Sequence, residues 1–217
     1  FEFFNEIPLS RGLGSSSAVI VSAIASAYAI EGIKVEKERL LNLSLAYESH
    51  PDNITPAVMG GFNVASVHEN EVKFITKSIP RTLRAVVVVP NRPISTTLSR
   101  KTLPYKYSKE DTIFNISHSS LLTAAFMSEN WEMLKYASAD MVHQQFRMRH
   151  MPELFEVQKT ALKNGALMST LSGSGSTFFS VAYSEDSQKL ELALKEKFPH
   201  FRVMSVDFDN NGVKIEI

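Results

Sequence analysis

The spacing of apolar and polar positions divides the first third of the chain into strands and helices. Residues 1–8 alternate enough to predict a strand that ends at proline, and an apolar, Ala-rich run at 18–31 predicts a buried helix that stops at Gly32. Further along, the pattern predicts a helix at 34–49, a turn at 50–53 and a hairpin formed by 62–67 and 72–77.

The rest of the chain begins with a wholly apolar run at 85–89, which predicts a strand buried on both faces. Helices are predicted at 96–101, 109–128, 130–142 and 151–164, then strands at 166–171 and 177–182, a helix at 186–198 and a strand at 202–208. This order is the split βαβ pattern of ferredoxin-like domains, with an elaborated first crossover. A boundary close to Pro80 divides the chain into domains at 1–82 and 83–217.

Composition narrows the classes of function. The chain has 217 residues, 44% of them hydrophobic, and 23 basic residues balance 23 acidic residues. This balance argues against binding to nucleic acid or to a membrane surface, because both need an excess of Lys and Arg. The lack of cysteine excludes disulfides, thiolate zinc sites and cysteine nucleophiles, and no apolar run reaches the ~20 residues of a membrane span. We therefore expect a soluble, cytoplasmic protein.

A loop rich in glycine and serine stands between the first predicted strand and the first predicted helix. Gly12 and Gly14 would let the backbone approach a ligand, and the serines at 15–17 could bind phosphate oxygens or cap the helix. An ordinary Gly-rich turn with a serine N-cap explains the same residues. No Gly-Lys-Ser/Thr follows, which excludes a Walker A loop, and the helix predicted next disfavours a dinucleotide-binding fingerprint.

A second group of residues that could carry chemistry lies at the end of the predicted helix at 34–49 and just after it. Glu48, His50, Asp52 and Asn53 fall within six positions and could bind a metal, an ammonium group or a hydroxyl, although a solvated helix end with an Asx turn is the simpler explanation of these residues alone. A zinc site there lacks further ligands nearby.

The loop 172–176, Ser-Gly-Ser-Gly-Ser, has more small residues than a tight hairpin needs, so we expect close approach by another backbone or a ligand. Neither glycine loop contains Gly-x-Ser-x-Gly, which disfavours an α/β-hydrolase. Arg100 and Arg147 could each clamp a carboxylate, although a surface salt bridge is the commoner role of a lone arginine.

Taken together, these segments resemble the GHMP kinases, a superfamily of small-molecule kinases. The stretch 8–18, PLSRGLGSSSA, is similar to their second, phosphate-binding motif, and 171–177, LSGSGST, is similar to their third motif. The stretches 50–61, 95–104 and 140–152 resemble the homoserine kinase branch in particular. The resemblance covers nearly the whole chain in the right order.

The resemblance implies an α+β fold of two domains: an N-terminal domain with a left-handed βαβ crossover, incomplete here, and a C-terminal ferredoxin-like domain. It implies transfer of the ATP γ-phosphoryl group to the side-chain hydroxyl of L-homoserine, giving O-phospho-L-homoserine on the route to threonine. It also implies a small-molecule substrate. The charge balance indicates no nucleic-acid or membrane partner, and the oligomeric state is left open, with a homodimer as one candidate.

The family's nucleotide and metal roles fall on residues of two of these stretches. The triphosphate cradle corresponds to Pro8, Ser10, Gly12, Leu13, Gly14, Ser15, Ser16 and Ser17, with the positive potential of a helix N-terminus behind it. One of Ser15, Ser16 and Ser17, with Ser16 preferred, and the acidic Glu48 match the ligands of Mg²⁺, which requires hard oxygen donors.

The family's substrate roles fall on His50, Asp52, Asn53, Thr96, Arg100, Arg147, Gly173 and Gly175. Asp52 suits the substrate ammonium, Asn53 the reactive hydroxyl, and the two arginines the α-carboxylate. The candidate catalytic residues are Asn53, Asp52 and Arg147. The branch lacks a clear equivalent of the aspartate base of mevalonate kinases, which favours direct attack by the hydroxyl and leaves open whether Asp52 takes a proton. The two glycines are expected to pack against the phosphate loop and the substrate.

Two departures from the family pattern accompany the resemblance. The first motif of the family, similar to Pro-Ala-Ser-x-Asn-x-Gly-Pro-Gly-Phe-Asp, is absent from these residues, and Phe1 falls inside a predicted strand. We therefore expect a piece of a longer protein, inactive by itself. Ser176 stands where the family often has Pro. The alternatives left open are a kinase of another small alcohol, such as mevalonate, and a non-catalytic ligand-binding member.

Overall fold

A computed structural model describes residues 2–92, 99 and 101–216 of the chain. They form two compact units, each assembled from segments that are distant in sequence. The hairpin unit consists of Gly14–Pro80 and Phe208–Ile217, and the sheet unit consists of Phe1–Leu13 and Arg81–Asp207. The division into domains at 82/83 stays a prediction, and the two units are described separately below.

The hairpin unit packs three helices against a two-stranded sheet. The helices are α1 (Ser15–Ile30), α2 (Lys37–Leu45) and α3 (Pro51–Met59), and the strands are β1 (Phe62–His68) and β2 (Glu71–Lys77). The strands pair antiparallel, with Val64 opposite Ile75, so the predicted hairpin is confirmed. The buried core of this unit comprises Val21, Ala25, Val35, Leu40, Leu41, Ile54, Val58 and Val72. Each of the larger aliphatic side chains contributes about 1.5–3 kcal/mol by leaving water.

The last segment of the chain completes the hairpin unit. The Asn210 side chain accepts a hydrogen bond of 2.8 Å from the Ile79 N–H and donates one of 2.9 Å to the Ile79 carbonyl. The Gly61 N–H donates to the Asp209 carbonyl at 2.8 Å. These bonds satisfy backbone groups just before β1 and just after β2, at the open end of the hairpin, where Phe62 pairs with Lys77.

The sheet unit is built around a four-stranded antiparallel sheet with the order β4-β5-β3-β6. The strands are β3 (Leu83–Val89), β4 (Met168–Leu171), β5 (Phe178–Tyr183) and β6 (Arg202–Val206). The described helices of this unit are α4 (Lys109–Ser128), α5 (Leu134–Ala137), α6 (Gln144–Met148), α7 (Glu153–Lys163) and α8 (Ser184–Lys197). This arrangement confirms the ferredoxin-like pattern predicted for the second half of the chain.

The core of the sheet unit lies between the sheet and helices α7 and α8. Val86 and Val88 of β3 are fully buried, as the uninterrupted apolar run predicted. They pack with fully buried side chains of the helices and of β5, namely Leu154, Val157, Leu190, Leu194 and Phe178. A rigid sheet therefore supports the loop that joins β4 to β5.

Two predicted elements differ from the structure. Residues 2–6 form no strand, because no described strand pairs with them and an isolated alternating segment gains no ladder hydrogen bonds. The helix predicted at 130–142 is reduced to a 3₁₀ turn (Trp131–Met133) and the four-residue α5. The chain then turns because the Asp140 carboxylate accepts hydrogen bonds from backbone N–H groups that follow it. The helix predicted at 96–101 falls largely outside the described residues. Within the described ranges, no helix has both the length and the apolar character needed to cross a membrane.

Candidate functional site

The glycine- and serine-rich loop leads into α1 in a way that leaves the start of the helix open. Gly14 is the N-cap residue, in the left-handed conformation with φ 69°, and no side chain caps the first turn. The first turn also carries no acidic residue. Its N–H groups and the positive end of the helix dipole are therefore suited to an anion such as a phosphate.

The serines at the start of α1 differ in exposure. Ser16 is exposed and Ser15 is partly buried, whereas Ser17 is 2% exposed and belongs to the interior. Of the three, Ser16 is the one whose hydroxyl faces solvent in the first turn, as a ligand of a bound ion requires. Pro8 and Leu13 are partly buried and Ser10 is exposed, with a positive φ of 56°.

The second glycine loop packs directly on the first within the sheet unit. The Ser172 hydroxyl donates a hydrogen bond of 2.6 Å to the Gly12 carbonyl, and the Thr177 N–H donates to the Arg11 carbonyl at 3.0 Å. A Cβ on Gly12 would lie 2.1 Å from the Ser172 carbonyl oxygen and 3.0 Å from backbone atoms of Gly175. Only glycine fits at position 12, and the expected packing of the two loops is confirmed.

Three further segments of the sheet unit hold the second loop from other sides. The buried Ser99 hydroxyl donates to the Ser174 carbonyl at 2.8 Å, and the Ser176 hydroxyl donates to the Arg92 carbonyl at 2.8 Å. Arg147 Nη1 donates to the Gly173 carbonyl at 2.8 Å. Sequence reasoning missed Ser99, because nothing but its position next to Arg100 distinguishes this serine from others. The predicted substrate residues Thr96 and Arg100 lie outside the described residues.

The segment 50–53, predicted as a turn, is instead the beginning of α3. His50 is the N-cap residue and Pro51 occupies the first helical position, where its missing N–H costs nothing and its fixed φ suits the helix. Asp52 lies in the first turn, where its charge complements the helix dipole. The prediction failed because the same residue types favour both a turn and a helix start.

The start of α3 lies beside the start of α1. Asn53 Oδ1 is 3.7 Å from the position that a Cβ on Gly14 would occupy. His50, Asp52 and Asn53 are all exposed, so their polar groups face solvent rather than the core. Two helix N-termini and an amide side chain therefore meet at one place in the hairpin unit.

Glu48 precedes α3 and is partly buried. The described residues contain no cluster of three or more His, Asp or Glu side chains that could hold a metal ion. A cation with two protein ligands and further oxygens from a nucleotide remains compatible with Ser16 and Glu48, since Mg²⁺ is commonly held in this way.

A charged network precedes Arg147 in the sheet unit. Burial by itself raises the pKa of Asp140, but hydrogen bonds from Asn115 and from the Gln144 and His143 N–H groups hold that pKa below its usual value. Burial lowers the pKa of the His143 ring; the Asp140 carboxylate opposes this shift and Arg147 adds to it. Asp140 therefore stays ionised and His143 stays neutral at pH 7. The sequence offered no sign of this network beyond the family-like stretch 140–152.

Comparisons with known proteins agree with this arrangement. Residues 1–61 match the family model of the GHMP kinases N terminal domain, and residues 119–200 match that of the GHMP kinases C terminal domain. The chain is 82% identical over 217 residues to a homoserine kinase of Aliarcobacter butzleri, covering 100% of this chain and 74% of the relative. It is 62% identical over 216 residues to a homoserine kinase of a Nitratiruptor species, again covering 74% of the relative.

Among solved structures, the crystal structure of a homoserine kinase from Cytophaga hutchinsonii has a TM-score of 0.88 to this chain at 25% identity. The match covers 96% of this chain and 69% of that one.

Proposed function

Because the chain belongs to the GHMP kinase superfamily and, within it, to the homoserine kinases, we propose that it transfers the γ-phosphoryl group of ATP to the side-chain hydroxyl of L-homoserine. The product is O-phospho-L-homoserine, an intermediate of threonine biosynthesis. One observation carries the proposal: the uncapped start of α1, suited to phosphate, has the Asn53 side chain beside it. A phosphate site and a polar group for an acceptor hydroxyl are thus adjacent, as phosphoryl transfer requires.

The nucleotide phosphates are assigned to the loop that runs into α1. Its residues Ser10, Gly12, Leu13, Gly14, Ser15 and Ser16 offer backbone N–H groups and hydroxyls, Pro8 begins the stretch, and Ser17 is buried. The tight packing on Gly12 supports this assignment, because a loop fixed before ATP arrives loses little conformational freedom on binding.

Mg²⁺ is the proposed metal, with Ser16 and Glu48 as its protein ligands. Ser16 faces solvent in the first turn of α1, and Glu48 forms no ion pair within the described part of the chain, so its carboxylate is available to a cation. When bound, Mg²⁺ neutralises charge on the β- and γ-phosphates. The residues present fit this role because both donors are hard oxygens.

The acceptor roles are assigned residue by residue. The exposed Asp52 carboxylate suits the homoserine ammonium, and the Asn53 amide suits the reacting hydroxyl. The exposed His50 is assigned to the same amino-acid site as a further polar side chain. Arg147, whose guanidinium carries five N–H donors, suits the α-carboxylate, as does Arg100 by family resemblance, and Thr96 matches a position that holds the substrate. Gly173 and Gly175 are proposed substrate positions at which the second glycine loop presents backbone without a side chain.

The chemical step needs positioning more than covalent catalysis. The homoserine oxygen forms a bond to the γ-phosphorus as the bond from that phosphorus to the bridging oxygen breaks, ADP leaves, and the hydroxyl proton is released. Asn53 is proposed to orient the hydroxyl, so that the reacting oxygen stays in line. No general base is assigned, and Asp52 is proposed to bind rather than to accept the proton.

A cytoplasmic location and a homodimeric state complete the proposal. Cytoplasmic ATP and amino acids are the substrates that the reaction consumes, which supports the location. The homodimer rests on family resemblance, and the mass of the native protein in solution, measured by light scattering, tests it.

The acceptor is tested by coupled ADP release, with the native full-length protein, ATP and Mg²⁺, and with homoserine, mevalonate and shikimate offered separately at millimolar concentration. Turnover with homoserine alone is expected, with a phosphomonoester product identified by ³¹P NMR. ATP binding without homoserine turnover would overturn the acceptor assignment, and turnover with mevalonate would favour the other kinase class.

The metal ligands are tested by titrating Mg²⁺ against activity. Glu48→Gln and Ser16→Ala are expected to raise the Mg²⁺ concentration for half-maximal rate. Glu38→Gln, an exposed carboxylate in the first turn of α2, serves as the control and is expected to leave that concentration unchanged. An unchanged Mg²⁺ requirement in both ligand variants would overturn the assignment.

A further inference from the structure

Asp140 lies at the centre of a hydrogen-bond network that no part of the proposed reaction uses directly. Its side chain is only 7% exposed. The carboxylate accepts hydrogen bonds from the His143 N–H at 2.9 Å and from the Gln144 N–H at 2.6 Å. It also accepts one from the Asn115 amide at 2.9 Å. A buried carboxylate that accepts hydrogen bonds from the backbone N–H groups of His143 and Gln144 fixes the backbone at these two positions.

The backbone that Asp140 fixes is the start of α6, the short helix that carries Arg147. The N–H groups of His143 and Gln144 are among the first ones of this helix, which have no partner inside the helix. Asp140 therefore determines where α6 begins. Arg147 follows Gln144 by one turn, so the start of the helix also determines where the guanidinium lies.

Two side chains of α6 also form hydrogen bonds with the second glycine loop and the strand before it. Gln144 Oε1 accepts a hydrogen bond of 2.9 Å from the Leu171 N–H, at the end of β4. Arg147 Nη1 donates to the Gly173 carbonyl at 2.8 Å, two residues further along. A continuous chain of hydrogen bonds thus runs from Asn115 on α4 through Asp140 and α6 to Gly173.

We propose that Asp140 is a positioning residue, which sets the guanidinium of Arg147 for the α-carboxylate of the acceptor by anchoring the N-terminus of α6. The proposal rests on the role given to Arg147 above. Asn115 is the second member of this device: besides donating to Asp140, it accepts the Met141 N–H at 2.7 Å and so holds both ends of the turn before α6.

The alternative is that Asp140 is a structural anchor only, whose loss destabilises the sheet unit without a specific effect on the acceptor. The two roles differ in what they predict for a variant that also lacks Arg147. If Asp140 acts through Arg147, its removal has little left to disturb once the guanidinium is gone.

A double-mutant cycle in the native full-length protein separates the two roles. Arg147→Met and Asp140→Asn are each expected to raise the KM for homoserine by about tenfold or more, with the KM for ATP unchanged, and the double variant is expected to resemble Arg147→Met alone. Ser108→Ala is the control, because it removes the cap of α4, a side-chain-to-backbone bond of the same kind. It is expected to lower stability in urea and to leave both KM values unchanged.

The outcomes distinguish this inference from the function on which it rests. If the KM for homoserine in the double variant rises by the product of the two single increases, the positioning role of Asp140 is overturned. An unchanged KM for homoserine in Arg147→Met would overturn the role of Arg147 itself, and the inference with it. If Asp140→Asn does not fold, Asn115→Ala, which keeps the carboxylate, replaces it and is expected to show the same pattern with a smaller increase in KM.

Discussion

The Ser172 hydroxyl donates a hydrogen bond of 2.6 Å to the carbonyl oxygen of Gly12, although 160 positions separate the two residues in sequence. The contact joins two glycine loops into one element of the sheet unit. Because only a hydrogen atom fits on the Gly12 Cα, the geometry of the first loop depends on the second. Substitutions in either loop are therefore expected to affect both.

Gly12→Ala is expected to destabilise the protein by about 3 kcal/mol or more, because a left-handed conformation strains alanine and the added methyl group meets backbone atoms. Gly165→Ala is the matched control: it has a φ of 95°, and its Cβ would be 4.0 Å from the nearest atom. That variant carries the strain alone, about 1–2 kcal/mol. Urea unfolding measures the loss of stability in both variants. Equal losses would mean that the contact between the loops accommodates a methyl group without cost.

Asn53 is expected to act on the reacting hydroxyl rather than on stability. Asn53→Ala should lower kcat by about 100-fold, in the range seen when a donor to the transition state is removed. Asn53→Asp keeps the shape but places a negative charge beside the start of α1, where the phosphates are proposed to bind, and should be at least as damaging. Steady-state rates with both variants test this, and near-normal activity of Asn53→Asp would contradict it.

Asp52→Asn is expected to raise the KM for homoserine by about tenfold and to change kcat much less, because a charged partner of the ammonium group is lost. Asp186→Asn removes a carboxylate from the first turn of α8 and controls for the helix-dipole effect alone. A large fall in kcat, with loss of the acidic limb of the pH–rate profile, would instead make Asp52 the general base.

The free energy of unfolding is expected to decrease in two steps as the pH is lowered. The first step comes from His143 and the second from Asp140. Burial lowers the pKa of His143, so the unfolded ring, with a pKa of about 6.5, takes up a proton first, and stability falls from that pH downwards. The pKa of Asp140 is also lowered, by its hydrogen bonds against the opposing effect of burial. Its contribution is present above the unfolded value of about 3.9 and is lost as pH falls through the folded pKa.

Urea midpoints at pH 7, 5.5 and 3.5 check these steps, with the pH values chosen roughly around the two unfolded pKa values. His143→Gln is expected to remove the loss that begins above pH 5.5, and Asp140→Asn the loss at the acidic end. Glu71→Gln is the control, since the pKa of Glu71 is lowered by a hydrogen bond from Lys73 and both side chains are exposed. An unaltered pH profile in Asp140→Asn would contradict the assignment.

Asn210→Ala is expected to destabilise the hairpin unit by about 2–3 kcal/mol, because it removes two hydrogen bonds and leaves the Ile79 backbone without its partners. The neighbouring Asn211→Ala is a matched control, since the Asn211 side chain makes no hydrogen bond within the described residues. Hydrogen exchange at the ends of the hairpin should rise in the first variant only. Equal exchange in the two variants would show that the Asn210 bonds contribute no stability.

Much of the sheet unit could be predicted from the sequence, because its pattern is local. The run at 85–89 is apolar throughout, which predicted the buried strand β3, and the helix predicted at 109–128 matches α4, which the Ser108 side chain caps. The loop 172–176 was also identified correctly as a place of close backbone approach, since glycines separated by single serines have few other uses.

What the sequence did not predict depends on partners that are distant along the chain. The alternation at 1–8 resembles a strand, but strand formation needs a neighbour, and no periodicity shows whether one exists. The role of Asp140 depends on Asn115, twenty-five positions earlier, and that of Asn210 depends on Ile79. Pro51 fits a turn and a helix start equally well, so only packing on α1 and α2 selects the helix.

The closing of the hairpin unit by residues 208–217 also has a consequence for biosynthesis. A ribosome that has translated α1, α2, α3 and the hairpin has not yet made the segment that supplies Asp209 and Asn210. Helices α1, α2 and α3 therefore gain these contacts only after residues 208–217 are made, so the hairpin unit is completed after the sheet unit has been synthesised. A gene divided at residue 82 would yield two products, of which the first lacks its own closing segment.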